Sequence, residues 1–319
     1  MKEFRCRLYP SSGEPASNPR CDKRGVAWFV YDVTSCDFFA ELKMLQILKK
    51  TISTILLVGI ASTGLTASNS IPSGWVSQQV VKKFHQEAEQ GNANAQFALA
   101  LMYLDGINDV EAVKWFQKAA EQGLAEAQFH LASLYILGRG VKQSYPEGVK
   151  WLLKAAEQGH VQAQHSLATC YSSGKGVAQS YVEAVKWYEK AAEQGHPQAQ
   201  YNLGVCYLEG YGVKQNFSEG VKWYRRAAEQ GDVLAQMNLG TCYSMGKGVK
   251  KSDAEAVKWY QKAAEQGDPR AHFNLGVCYV KGLGVRQSYT NAKEHFGIAC
   301  DKGLDKGCEL YARLNTSGG

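Results

Sequence analysis

The stretch Ala184–Val213 reads AVKWYEKAAEQGHPQAQYNLGVCYLEGYGV, and versions of it recur from about Val80 onward. The block K-W-x-x-[KR]-A-A-E-Q-G ends at Gly123, Gly159, Gly195, Gly231 and Gly267, 36 residues apart each time. A looser copy ends at Gly91 and a diverged one at Gly303. A period of this length is the mark of a solenoid, in which each unit completes its core against its neighbours.

Each unit carries two helical patterns. Ala199, Leu203, Cys206 and Tyr207 recur at i, i+4, i+7 and i+8, one apolar face of a first helix. Gly210-Tyr211-Gly212-Val213 ends that helix, since paired glycines allow positive φ. A second helix from Phe217 to Gln230 places Val221, Tyr224 and Ala228 on one face, widened by Trp223 and Ala227, and Gly231 turns the chain back. A buried Trp contributes about 4–6 kcal/mol of gross burial. Ordering the residues of one unit costs several times that, so no unit is stable alone.

The pattern A-x-x-x-L-G-x-x-Y-x-x-G-x-G-V followed by A-x-x-W-Y-x-K-A-A-x-x-G resembles the Sel1-like repeat, a relative of the tetratricopeptide repeat with a longer turn inside the helix pair. The resemblance covers nearly everything after Val80. It implies an all-α fold, a right-handed α/α superhelical solenoid. It implies a non-enzymatic scaffold for a protein or peptide partner, with no cofactor and with export common among bacterial members. Residues 77–315 then hold six full helix pairs and flanking half-repeats. The first pair is short, with its turn at Gly106-Ile107-Asn108, and Lys306 to Asn315 forms a polar capping helix.

Met1–Lys43 shares nothing with the repeats and reads either as a cytosolic arm or as sequence upstream of a true start at Met44. From Met44, Lys49 and Lys50 precede the apolar run Thr51–Leu65, and Leu65-Thr66-Ala67 offers a cleavage site. Residues 44–67 are therefore expected to be a secretory signal. Residues 68–76 form a linker. The mature chain would lie in the periplasm or outside the cell, with no membrane span after cleavage. A genuine arm that blocked export would keep it in the cytoplasm. The whole chain holds 36 Lys and Arg against 30 Asp and Glu, and part of that excess lies in the first 67 residues. So weak a basic balance argues against nucleic acid as the ligand.

Cys170, Cys206, Cys242 and Cys278 share one repeat position. Equivalent helices in a stack lie roughly 8–10 Å apart, beyond the ~7 Å Cα limit for a bridge, so these read as small buried hydrophobes. Cys300 and Cys308 are spaced as in the cysteine-rich Sel1-like proteins of bacteria, and that resemblance implies a disulfide between adjacent helices. Two thiols remain the alternative. The same relatives raise a second function, β-lactam hydrolysis or penicillin binding. Ser172-Ser173-Gly174-Lys175 and Ser244-Met245-Gly246-Lys247 match S-x-x-K, without S-D-N or K-T-G. Both fall at the G-x-G-V turn and read as coincidence, so no catalytic residue is assigned. No close-spaced ligand set among the histidines, His160 and His196 included, marks a metal site.

What remains is a surface. In a tetratricopeptide-like stack the first helices line the concave face, and one row there varies from copy to copy. It holds Phe97, Phe129, His165, Tyr201, Met237 and Phe273, with Val205, Leu208 and Val277 further along the helices. So apolar a row suits a groove for a peptide or helix, or else packs into neighbouring repeats. Asn202, Asn238 and Asn274 stand beside it. They are candidates to hold a partner's backbone, or to bond within the repeats themselves.

Overall fold

A computed structural model describes residues 78–105 and 108–316. The expected signal at 44–67, the segment before it, the linker at 68–76 and residues 106–107 of the first turn lie outside the described residues. Among the described residues there are fourteen helices and no strand. The chain divides into two compact units between Lys190 and Ala191.

The first unit holds α1 (Gln78–Glu89), α2 (Ala93–Asp105), α3 (Asp109–Glu121), α4 (Ala125–Leu137), α5 (Tyr145–Glu157) and α6 (Val161–Ser173). The helix α7 (Tyr181–Glu193) carries the division. The second unit continues with α8 (Pro197–Glu209), α9 (Phe217–Glu229), α10 (Val233–Met245), α11 (Asp253–Glu265), α12 (Pro269–Lys281), α13 (Tyr289–Asp301) and α14 (Asp305–Thr316). Within each unit consecutive helices pack as antiparallel hairpins, the arrangement of an α-solenoid.

Capping fixes the helix bounds. Most first helices begin at a side chain that accepts the backbone N–H three residues on, as Asp232 Oδ1 does from Ala235 at 2.8 Å, while α4 starts after Leu124 without one. Second helices use Ser144, Asn216, Ser252 and Ser288 in the same way. First helices end on left-handed glycines such as Gly246, with φ 70°. The second glycine of the G-x-G-V turn is held more tightly. Gly248 has φ 73°, and a Cβ there would strike the Phe217 carbonyl at the start of α9. That turn is longer than an ordinary helix–helix connection because it reaches back to the preceding second helix and seats on its first residue.

Small residues let the two helices of a hairpin close up. Ala132 and Ala168 serve in the first unit, and Gly204, Gly240 and Gly276 in the second. A Cβ at Gly240 would lie 2.7 Å from ring carbons of Tyr260. In the first unit Leu99, Phe116 and Leu131 are fully buried in one cluster, and in the second Met237, Leu239 and Tyr260 in another. On the outer face each second-helix Trp carries a cation from the next turn. Lys190 sits 3.9 Å over Trp187 and Lys262 4.3 Å over Trp259. Such pairs add about 0.5–1 kcal/mol each at exposed sites.

The first and last of the helices described depart from the repeat. In α1, Lys83 and Glu87 pair at 3.8 Å on the positions that Trp187 and Ala191 bury in α7. In α14, exposed Glu309 and Arg313 replace buried Tyr201 and Val205. Gly248→Ala is expected to lower stability by about 1–3 kcal/mol, the cost of a side chain in this backbone region. Thermal unfolding followed by circular dichroism measures it.

Candidate functional site

Within each unit, glutamines form a polar relay between repeats. Gln236 is 4% exposed, donates to the Ala228 carbonyl at 3.1 Å and accepts from Gln266 at 2.9 Å. Gln200 does the same with Ala192 and Gln230, and Gln128 with Ala120 and Gln158. The signal was present in the recurring A-x-A-Q and E-Q-G, but the sequence reading passed over both glutamines.

Most of the candidate row is buried. In the second unit Met237 and Val205 are 1% exposed, Tyr201 5%, Phe273 7% and Val277 8%, and Leu208 is fully buried. In the first unit Phe129 is buried, and His165 is half-buried against Tyr188 at 5.8 Å between ring centroids. The asparagines lie beneath the surface too. Asn202 is buried, and Asn238 donates to the Tyr201 hydroxyl at 3.3 Å. Asn274 points its amide at Met237 Sδ at 3.7 Å. Asn238 and Asn274 thus make contacts within the repeats.

The variation along the row follows the needs of buried tyrosines. The Tyr188 hydroxyl lies 3.3 Å from Thr169 Oγ1 and 3.5 Å from Ser172 Oγ. Tyr260 donates to Thr241 Oγ1 at 3.2 Å. Tyr224 faces Val205 and Leu208, which offer no partner, and its hydroxyl is served by Asn238 of the next first helix. Where Val277 and Val280 face the second helix, the ring is Phe296 and needs none. Burial holds the Tyr224 hydroxyl well above its usual range.

The same burial decides the other candidates. Ser172 is 2% exposed and Ser244 7%, each with Oγ donating 3.0 Å to the carbonyl three residues back. Lys247 lies over the Phe217 ring at 4.5 Å. Cys170, Cys206, Cys242 and Cys278 are buried thiols, and burial pushes Cys242 and Cys278 up to about 12. Cys300 and Cys308 are joined in a disulfide between α13 and α14. Gly307 allows it, since a Cβ there would crowd Ala299 Cβ and Cys300 N at 2.9 Å. Among the described residues no group of three or more His, Cys, Asp or Glu is placed to hold a metal ion. None of the helices described is long and apolar enough to cross a membrane.

His160 and His196 are helix caps. Each accepts through Nδ1 from a backbone N–H 3.2 Å away, on Ala163 and Ala199. The position carried its signal in the sequence, since Asn92, Asp232 and Asp268 fill it elsewhere. Burial lowers His196 to about 4 and lowers His160 below its usual value. His130, stacked on Phe116 at 5.4 Å, is also brought down by burial to about 4.

The Sel1 repeat family model matches residues 93–124, 125–160, 161–196, 197–232, 233–268 and 269–304. The chain belongs to the Sel1 repeat family. A protective antigen present in uropathogenic Escherichia coli strains, which displays an SLR fold, is 34% identical with a TM-score of 0.76 over 86% of this chain. The match spans 60% of that antigen's length. A Sel1 repeat protein from Oxalobacter formigenes is 35% identical with a TM-score of 0.62, over 68% of this chain and 86% of its own. No curated protein sequence gives a match. The hairpins are thus Sel1 repeats, a tetratricopeptide-like architecture suited to protein–protein interaction.

Two outcomes are expected. Asn238→Ala removes the partner of the Tyr201 and Tyr224 hydroxyls and costs about 1–3 kcal/mol in denaturant unfolding. His196 is less basic folded than unfolded, so its contribution is full above the unfolded value of about 6.5 and declines as pH falls toward 4. His196→Asp keeps the cap that Asp232 provides and removes that share of the acid sensitivity, read as a smaller drop in melting temperature between neutral and acid buffer.

Proposed function

We propose that this protein is exported and acts as a protein-interaction scaffold, holding a protein or extended peptide along the first helices of its Sel1 repeats. The observation that carries this reading is that six matched repeats run without a break from residue 93 to 304. Repeats of this kind supply serial surfaces for a partner. The Cys300–Cys308 disulfide supports export, since such bonds persist in oxidising compartments. The E. coli relative's being a protective antigen points the same way.

Because the row from Tyr201 to Phe273 lies under the surface, it shapes the binding face from beneath. Half-exposed first-helix side chains such as Gln198, Leu234 and Met245 make the contact. A photo-crosslinker placed at Leu234 is expected to capture an envelope protein, while one at Lys222 on the second helix is not. Capture at Lys222 alone overturns the reading.

Hydrolysis of a β-lactam is the less favoured function, because Ser172 and Ser244 are buried with their hydroxyls engaged. Purified protein is expected to leave a chromogenic β-lactam intact, and turnover abolished by Ser172→Ala would reverse that. For export, intact-mass analysis of protein from the cell envelope is expected to show two additional alkylations after reduction, at Cys300 and Cys308.

A further inference from the structure

The last joint of the stack is built differently. At the positions of Gln236 and Gln266 the final repeat carries His272 and Lys302. The His272 ring reaches the Ala264 carbonyl, the acceptor that glutamine uses in earlier repeats. Its Nδ1 lies 3.0 Å from Nδ1 of His295 on α13. The ring centroids are 5.3 Å apart, which is the nitrogen separation plus a ring radius at each end. The nitrogens therefore meet head-on, in an N–H···N hydrogen bond that leaves no room for a cation between them. Tyr279 of α12 stacks on His295 at 5.5 Å and 14°.

We propose that the His272–His295 pair is an acid-operated latch on the C-terminal hairpin of α13 and α14. The bond needs one lone pair, so it forms with both rings neutral or with one proton added. With two, both N–H groups face each other and two positive charges stand about 3 Å apart, at a cost steep in a half-buried site.

The surrounding charges are mixed. Lys302, at the end of α13, opposes protonation of His272, while Asp268 on α12 and Glu294 on α13 favour it. Asp268 is already engaged by Arg270 and by the cap of α12. For His295, burial and His272 outweigh Glu294. Both imidazoles are lowered in the fold. The latch is closed above the free imidazole value near 6.5 and weakens as pH falls through it.

The hairpin it holds moves as one body, because Cys300–Cys308 ties α13 to α14. Its seat is apolar. Phe296 packs over Gly276, in one cluster with Phe273 and Val277 of α12. Opening in acid therefore bares the last members of the first-helix row without unravelling the chain end. This is independent of the identity of any partner.

Hydrogen exchange at about pH 7.5 and about pH 5, corrected for intrinsic rates, tests it on the whole protein. In wild type, protection of 289–316 is expected to fall more on acidification than that of α11. The double variant His272→Gln with Lys302→Gln restores the relay of the earlier repeats and is expected to lose that excess. An equal fall in both regions of wild type, or an undiminished excess in the double variant, overturns the proposal. Imidazole NMR titration of wild type gives a second reading that needs no variant. Proton uptake in two steps, the second well below the free imidazole value, supports the latch. Independent titration of both rings at the free value removes it.

Discussion

Gln236 lies buried between three helices, its amide donating to the Ala228 carbonyl and its oxygen accepting from Gln266. Such an amide is costly to bury unpaired and inexpensive when both ends are met, so the joint closes in one register only. Everything else in a unit depends on it. The hairpins cannot complete a core singly, and the relay sets how far each first helix slides along the second helix before it. Glycines and alanines then let the helices of a hairpin close onto Tyr224, Tyr260 and Phe296.

That closeness draws polar groups into the interior. The aromatic ring of the second helix carries a hydroxyl where a threonine or asparagine can meet it, as with Tyr188, Tyr224 and Tyr260. It lacks one in Phe296, where valines face it. Variation between copies is thus partly a record of internal hydrogen bonding.

The first and last of the helices described depart from the repeat. At α1 a Lys83–Glu87 pair takes the place of Trp and Ala. At α14 charged residues stand where the row is buried in earlier repeats, and a disulfide ties the helix to α13. Closing so short a loop contributes about 2.5 kcal/mol in the chain-entropy picture. The final joint also exchanges the two neutral amides for His272 and Lys302, so its strength depends on protonation where the earlier joints do not.

The repeat length, the two helices per unit, the glycine turns and the place of each core Ala, Leu and Trp were legible in the sequence, because helical periodicity and left-handed glycines are local properties. The disulfide was legible only through the resemblance of Cys300 and Cys308 to related chains. The fate of Tyr201, Met237 and Asn238 was not legible. Spacing places them on one side of a helix, but whether that side meets water depends on how closely the next first helix approaches. That distance is set by the Gln236–Gln266 joint and the small residues at Gly204 and Gly240, groups 30 or more residues apart in the chain. Only the tertiary structure brings them together, and it leaves Tyr201, Met237 and Asn238 buried.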